Sequence, residues 1–575
     1  MKKIMKSVLA IAGILALASC SSSEDFFTEN LGDNNKSVKM TFTASQENGS
    51  ATRTAIGTEG GKTKIHWSES DVIKVTNGTE TKDFTLTAGQ GTTKATFNGE
   101  ISESATYYAI YPNQNGVSFS GNQFSGVELK AEQEAVEDSF DPKAAIMVAK
   151  SNGTNLPFKN VVAYFKVTPT FDCSEIVVTA HKSTDALAGK FDVAISDDGT
   201  PSISITNGSR EVRLTGTITA NKDYYILLLP GTFEYGFSVT LKPKDDTTKK
   251  YFKQKNSSFT LNRNDLWNLG KMEGATEVSE STIPYITFTA DEKQTFRYYD
   301  YYGQAHLDAN EYLEYSVHGG QWKNFNIVQS VSFGGSNGDL RLRAKGGQGN
   351  YYAPTTTTDP MFKFGNDNVE VNCTGDIRTL IDYENYYCAN TSKAKFRKFF
   401  YSMTNLKSAP DLPSMELADN CYYAMFYGCT GLTTAPELPA TTLAVNCYYA
   451  MFYGCTGLTT APKLPATTLA SQCYRDMFNG CTSLTTAPEL PATTLVTLCY
   501  RDMFNGCSNL SKVTMLATTY SARSCLKNWL DNAGTSAQSR TLKLASQKVY
   551  DGIKKEGYLP EQWQSGPATI EYNNQ

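Results

Sequence analysis

A strict internal period of 26 residues constrains this chain more than any other feature. Cys421, Cys447, Cys473, Cys499 and Cys525 are each 26 apart, and Cys429, Cys455, Cys481 and Cys507 keep the same step. Leu406, Leu432, Leu458, Leu484 and Leu510 form a third column, and Phe399-Phe400-Tyr401-Ser402-Met403 fills equivalent slots one period earlier. A unit this short cannot bury an apolar face by itself, so successive units must stack into a solenoid. Within one unit Leu443, Cys447, Tyr448, Met451, Phe452 and Cys455 stand at i, i+4, i+5, i+8, i+9 and i+12. That spacing predicts a helical stripe facing the core. Ala435 to Pro439 should be extended, because proline fixes φ and lacks an N–H.

Slots off the stripe vary between units. Tyr423, Tyr427, Tyr449 and Tyr453 give way to Arg475, Arg501, Asn479 and Asn505. On a helix these slots face solvent, so the four tyrosines, bordered by Arg475 and Arg501, form a candidate contact patch. Recent duplication with neutral surface drift is the alternative.

The chain has 13 cysteines, of which nine lie in the two repeat columns. Cysteines eight apart on one helix are ~12 Å apart, too far to bridge. A bridge between units would leave other members of the column unserved. Free, buried thiols acting as small apolar fillers are expected. A Cys₄ zinc site needs pairs spaced two to four apart, so no metal and no cofactor is expected.

The unit's Met-Phe-x-Gly-Cys-Thr-x-Leu core resembles the BspA-like leucine-rich repeat family of surface proteins over about 395–530. Pro436 and Pro439 sit where such a repeat places its inner strand, so a polyproline-like or briefly paired inner face is expected. Trp529 and the segment from Leu526 break the period, and 531–575 reads as a C-terminal cap.

The N-terminus supplies an address. Lys2, Lys3 and Lys6 precede an apolar run from Val8 to Ala18, too short for the ~20 residues that span a bilayer. Leu17-Ala18-Ser19-Cys20 resembles a bacterial lipobox. The resemblance implies a signal peptide at 1–19, a lipidated Cys20 and a flexible tether at 20–37, with an ordinary signal peptide as the alternative. Ser21 to Asp25 resembles the export signal of Bacteroides-type surface lipoproteins; a plain solvated tether is the alternative. The formal charge is −5, and losing the three leader lysines makes it −8. Such a field does not favour nucleic acid.

From Val38 apolar residues alternate with polar ones, as in Val38, Met40, Phe42 and Ala44, and turn clusters separate many short runs of this kind. That pattern predicts a β-sandwich or two in tandem. Ala51-Thr52-Arg53-Thr54, Trp67 before Asp71-Val72-Ile73, Tyr108 to Pro112, Pro157 to Asn160, Leu187-Ala188-Gly189 and Leu229-Pro230-Gly231 succeed one another in an order that resembles the fimbrillin (Mfa-like) family. The resemblance covers roughly 38–272 and implies two β-sandwich subdomains. It also implies a processing site at Arg53, whose alternative is an exposed turn residue. A polar linker leads into a small β domain at about 280–385. Its Tyr299 to Tyr302 and Trp322 could form a sugar platform, or serve the core.

The expected fold is therefore mainly β with an α/β solenoid. The expected protein is a lipid-anchored outer-membrane surface protein, not an enzyme, that adheres through its repeats. Its partners would be the membrane, fimbrial subunits, host or bacterial surface proteins, or glycans. The alternative function is a glycan-binding lipoprotein of a nutrient uptake system. No nucleophile motif, phosphate loop or clustered His points to catalysis; the four His are scattered.

Overall fold

Alternating strands in the first part of the chain close into a barrel. The structure is a computed structural model and describes residues 37–46, 56–59, 62–300, 313–324, 330–345, 360–564 and 567–573. Cys20, Arg53, Tyr301, Tyr302 and the segment 1–36 lie outside these, as do the side chains of Tyr299 and Asp300. Val38–Gln46 pairs antiparallel with Ala95–Ile101 and parallel with Asn155–Asn160. The ring continues through Met147–Ser151, Tyr107–Tyr111, Val72–Thr76 and Thr81–Ala88. The expected first sandwich is a barrel because Val38–Gln46 joins both ends of the sheet, which removes its open edges. Inside, Trp67 meets Phe97, Tyr111 and Phe158 edge-on at 5.1, 5.3 and 5.6 Å. The Tyr111 hydroxyl donates to buried Asp71 at 2.9 Å. Motifs scattered over ninety residues of sequence are thus one core.

The next layers share that core. A six-stranded sheet centred on Cys173–Ala180 and Phe237–Pro243 packs with a three-stranded sheet around Ala163–Thr168 and a four-stranded sheet ending at Pro201–Ser209. Gly189 is required here: its φ is +120°, and a Cβ would lie 2.2 Å from the Asn207 carbonyl oxygen.

A second continuous core runs from Ile286 to Trp563. Ile286–Thr289 pairs with Leu340–Ala344 and Val371–Thr374, and the last of these pairs parallel with Leu406–Ser408 of the first repeat. Phe362 lies 4.2 Å from Phe399, so this β module closes the N-terminal end of the repeats. The opposite end is closed by the parallel strands Lys512–Met515, Arg540–Leu544 and Ala568–Tyr572 and by buried Trp529 and Trp563.

The repeats stack as coils, but the expected helix is absent, and with it the α/β solenoid. The α-helix that the described residues do contain is Gln547–Lys555, outside the repeats. From Asn420 to Cys429 the backbone is a ribbon of tight turns with a left-handed residue every fourth position: Asn420, Ala424 and Gly428, at φ of 60°, 49° and 70°. The same slots recur at Asn446, Ala450 and Gly454, then at Gln472, Asp476 and Gly480. Odd-numbered amides close turns, as in Met425 N–H to the Tyr422 carbonyl at 3.2 Å. Even-numbered amides reach the next coil: Tyr422 to Cys447 at 3.0 Å, Ala424 to Tyr449 at 2.8 Å and Phe426 to Met451 at 2.9 Å. Every amide in the ribbon is thereby satisfied, half of them between coils. The proline segments pair only by single parallel bridges, such as Thr434 with Thr460 and Leu490 with Met515.

Side chains follow the stacking. Phe400, Phe426, Phe452, Phe478 and Phe504 form a buried ladder with ring centroids 5.1, 5.5, 5.7 and 5.7 Å apart. The cysteines beside it are free and buried. Cys455, Cys481 and Cys507 donate S–H to the carbonyls of Phe426, Phe452 and Phe478 at 3.1, 3.1 and 3.0 Å. Burial pushes the Cys455 and Cys507 thiols up to about 12, so they remain protonated.

Candidate contact surface on the coil stack

The turn ribbon places one outward side chain directly above its counterpart in the next coil, and this arranges the tyrosines. Tyr423 and Tyr449 stack at 4.8 Å with 16° between ring planes. Tyr427 and Tyr453 stack at 4.6 Å and 1°, and Tyr401 extends that column at 4.8 Å. The structure therefore brings Tyr423 to Tyr449 and Tyr427 to Tyr453, as two columns along the stack rather than one flat patch. Sequence reading missed Tyr401 and Arg397, although both sit one period before Tyr427 and Tyr423.

Guanidinium groups bracket the first column. Arg397 lies over Tyr423 at 5.1 Å and Arg475 over Tyr449 at 5.0 Å. The Arg475 Nε donates to Asp476 at 3.3 Å and its Nη1 to Gln472 at 2.9 Å. Arg501 is held likewise by Asp502 at 2.9 Å and is not in ring contact with the tyrosines. Burial raises the Asp476 carboxyl and the Tyr449 hydroxyl. The rings are half-buried. Both faces of Tyr423, Tyr427 and Tyr449 are taken by neighbouring rings or guanidinium groups, and Tyr453 has one face on Tyr427, so a partner meets mainly ring edges, hydroxyls and guanidinium rims. Such a surface offers directional hydrogen bonds and little flat aromatic area.

Trp322 is committed in the same way. Arg343 lies 4.1 Å over its ring, Tyr285 packs at 4.8 Å, and its indole N–H donates to Glu280 at 2.8 Å. It serves the module's packing rather than an open sugar platform.

The two cores meet at a junction that holds cavities of about 510 and 400 Å³. Around the larger one Arg213 and Lys242 are paired with Glu175 and Lys250 with Glu384, while Arg210 donates to the carbonyls of Ala180 and Cys388. Among the described residues no group of three or more His, Cys, Asp or Glu is placed to hold a metal ion. No helix among them is long and apolar enough to cross a membrane.

No family model matches the chain, and comparison with curated proteins gives no match. Solved structures do match. A candidate cell adhesion protein from Bacteroides ovatus is 10% identical, with 43% of this chain and 96% of that one covered at a TM-score of 0.29. One from Bacteroides uniformis is 13% identical over 43% and 98% at 0.27. A fimbrial protein from Bacteroides ovatus is 11% identical over 41% and 50% at 0.21. At TM-scores this low the likeness says nothing of what the chain does.

Proposed function

We propose that this is a non-catalytic surface adhesion protein that binds a protein partner through the tyrosine columns of its coil stack. The observation that carries this reading is the pairing of Tyr423 with Tyr449 and of Tyr427 with Tyr453 on an outward face, edged by Arg397 and Arg475. Tyrosine and arginine are the side chains that most often carry protein–protein contacts. The glycan-uptake alternative is less well supported, since sugar rings stack on open aromatic faces and three of the four tyrosines have both faces taken.

The rest of the reading comes from the sequence. A signal peptide at 1–19, a lipidated Cys20 and a tether at 20–37 hold the protein to the outer membrane, facing outward. The unit at 38–272 is a fimbrillin-like stalk that other fimbrial subunits can join, with Arg53 as its processing site. The module at 280–385, the BspA-like repeats at 395–530 and the cap at 531–575 form the adhesive head. Replacing Tyr423, Tyr427, Tyr449 and Tyr453 together by Ser tests the core of this reading. Adhesion of expressing cells to a protein-coated surface is expected to be lost while the far-UV spectrum and melting profile stay those of a folded chain. Full adhesion by the folded variant removes the columns from the function.

A further inference from the structure

The strand Pro201–Ser209 is an edge that the rest of the molecule leaves open. It pairs on one side only, with Ala188–Ile195, and has no partner strand on the other among the described residues. It is nine residues long, whereas the opposite edge of the same sheet, Ser118–Ser120, and both edges of the neighbouring six-stranded sheet have three. Exposed edges are normally blunted by charge, by internal proline or by brevity. This one has none of these, its one blunting device being a bulge at Thr206: no charged residue occurs from Gly199 to Ser209, and its proline is at the first position.

The core also runs off this edge. Ile203 and Ile205 stand opposite buried Val193 and Phe191, so they continue the core-facing row to the rim. There Ile205 remains 43% exposed, the most exposed large hydrophobic among the described residues. An added strand is what would cover it.

We infer that this edge pairs with the same edge of a second copy of the chain, antiparallel about a two-fold axis through Ser204. Self-pairing in this register sets Ile203 against Ile205 of the second copy, and Ser202 against its Thr206. Apolar residues meet apolar ones on one face and hydroxyls meet hydroxyls on the other, each a stabilising cross-strand pair. A strand that pairs with itself about an axis near its middle brings any central charge close to its own copy, and this strand carries none. The bulge at Thr206 ends the regular stretch, so about five residue pairs form and the contact is weak. It therefore acts between copies crowded side by side. This inference does not depend on the tyrosine columns.

Disulfide trapping on the purified full chain tests it. In Ser204→Cys the new thiols face each other with Cα atoms ~5 Å apart, within bridging reach. In Ser202→Cys they are four residues out of register, ~13 Å apart and out of reach. Under mild oxidation S204C is expected to form a covalent dimer at least ~10-fold faster than S202C, with the parent chain as background for Cys20 and the buried thiols. Adding Ile205→Lys to S204C should slow trapping by about as much, since the ammonium then replaces the apolar partner of Ile203 and lies diagonally ~7–8 Å from its own copy. Equal rates for S204C and S202C overturn the inference. So does an unchanged rate in the Ile205→Lys background, or a cellular S204C adduct with another protein in place of the homodimer.

Discussion

The rings of Phe252 and Tyr387 lie face to face, 3.9 Å apart and 5° from parallel, across the seam between the two hydrophobic cores. The Tyr387 hydroxyl shares a hydrogen bond with Thr240 Oγ1 at 3.0 Å, and nearby Ser183 donates twice to Glu416 at 2.8 Å. These contacts tie the β-rich half to the coil stack. Replacing Tyr387 by Ala is expected to cost about 3–5 kcal/mol at the seam. Denaturant unfolding should then separate into two transitions, where Tyr387→Phe, losing about 1 kcal/mol, keeps the parent profile. An unaltered profile for the Ala variant would show that the seam holds by other means.

The columns themselves contribute modestly to stability. Tyr449→Ser removes one stacked pair and the Arg475 contact, together worth about 1–2 kcal/mol. Thermal unfolding measures this. A loss above about 4 kcal/mol would mark Tyr449 as a core residue rather than a contact residue.

Ala450 distinguishes the turn ribbon from a helix. On an α-helix, Ala→Gly costs about 1 kcal/mol. Here Ala450 has a φ of 51°, so glycine relieves a left-handed penalty of about 1–2 kcal/mol while loosening the unfolded chain. Ala450→Gly is expected to be neutral or stabilising by up to about 1 kcal/mol, and Ala450→Val to destabilise by more than that. Equilibrium denaturation of the two variants gives the comparison, and a clear loss on Ala450→Gly would contradict the ribbon.

Alkali should weaken the stack. Burial raises the Cys455 and Cys507 thiols from 9.0 to about 12 in the fold. A raised thiol holds its proton longer when folded, so its stabilisation is complete below pH 9 and is lost as pH climbs toward 12, by at most ~1.4 kcal/mol per group per pH unit. Unfolding measured at pH 8 and pH 10 should show this fall, and Cys455→Ala with Cys507→Ala should reduce it by their share, since burial raises the other column thiols as well. A pH-independent stability would mean the columns are already open to solvent.

The stacking of coils could be read from the columns of Cys and Leu, because a fixed step of 26 leaves each unit only its neighbours to bury against. The ribbon inside the unit differs from the helix that the apolar stripe predicts. Leu443, Cys447, Met451 and Cys455 recur every four residues without drift. Four helical residues overshoot one turn by ~40°, so an unbroken step of four is not the helical period. Asn420 with Gly428 and Asn446 with Gly454, residues that tolerate positive φ, stood eight apart as a usable signal. Barrel closure was not legible, since it depends on Val38–Gln46 finding a parallel partner more than a hundred residues away. The tyrosine surface was half legible: spacing named its members, but only the backbone reveals that rings lie on rings and so withhold their faces.

The ribbon's amides bond forward from coil to coil in a pattern that is the same at each step, and neither closing end depends on how many steps lie between. A gene that gained or lost one 26-residue unit would still encode a fully bonded backbone. Recombination among such near-identical segments can therefore lengthen or shorten the molecule and add or remove one rung of its outer face. Reach and valency become heritable traits that change without redesign of the fold.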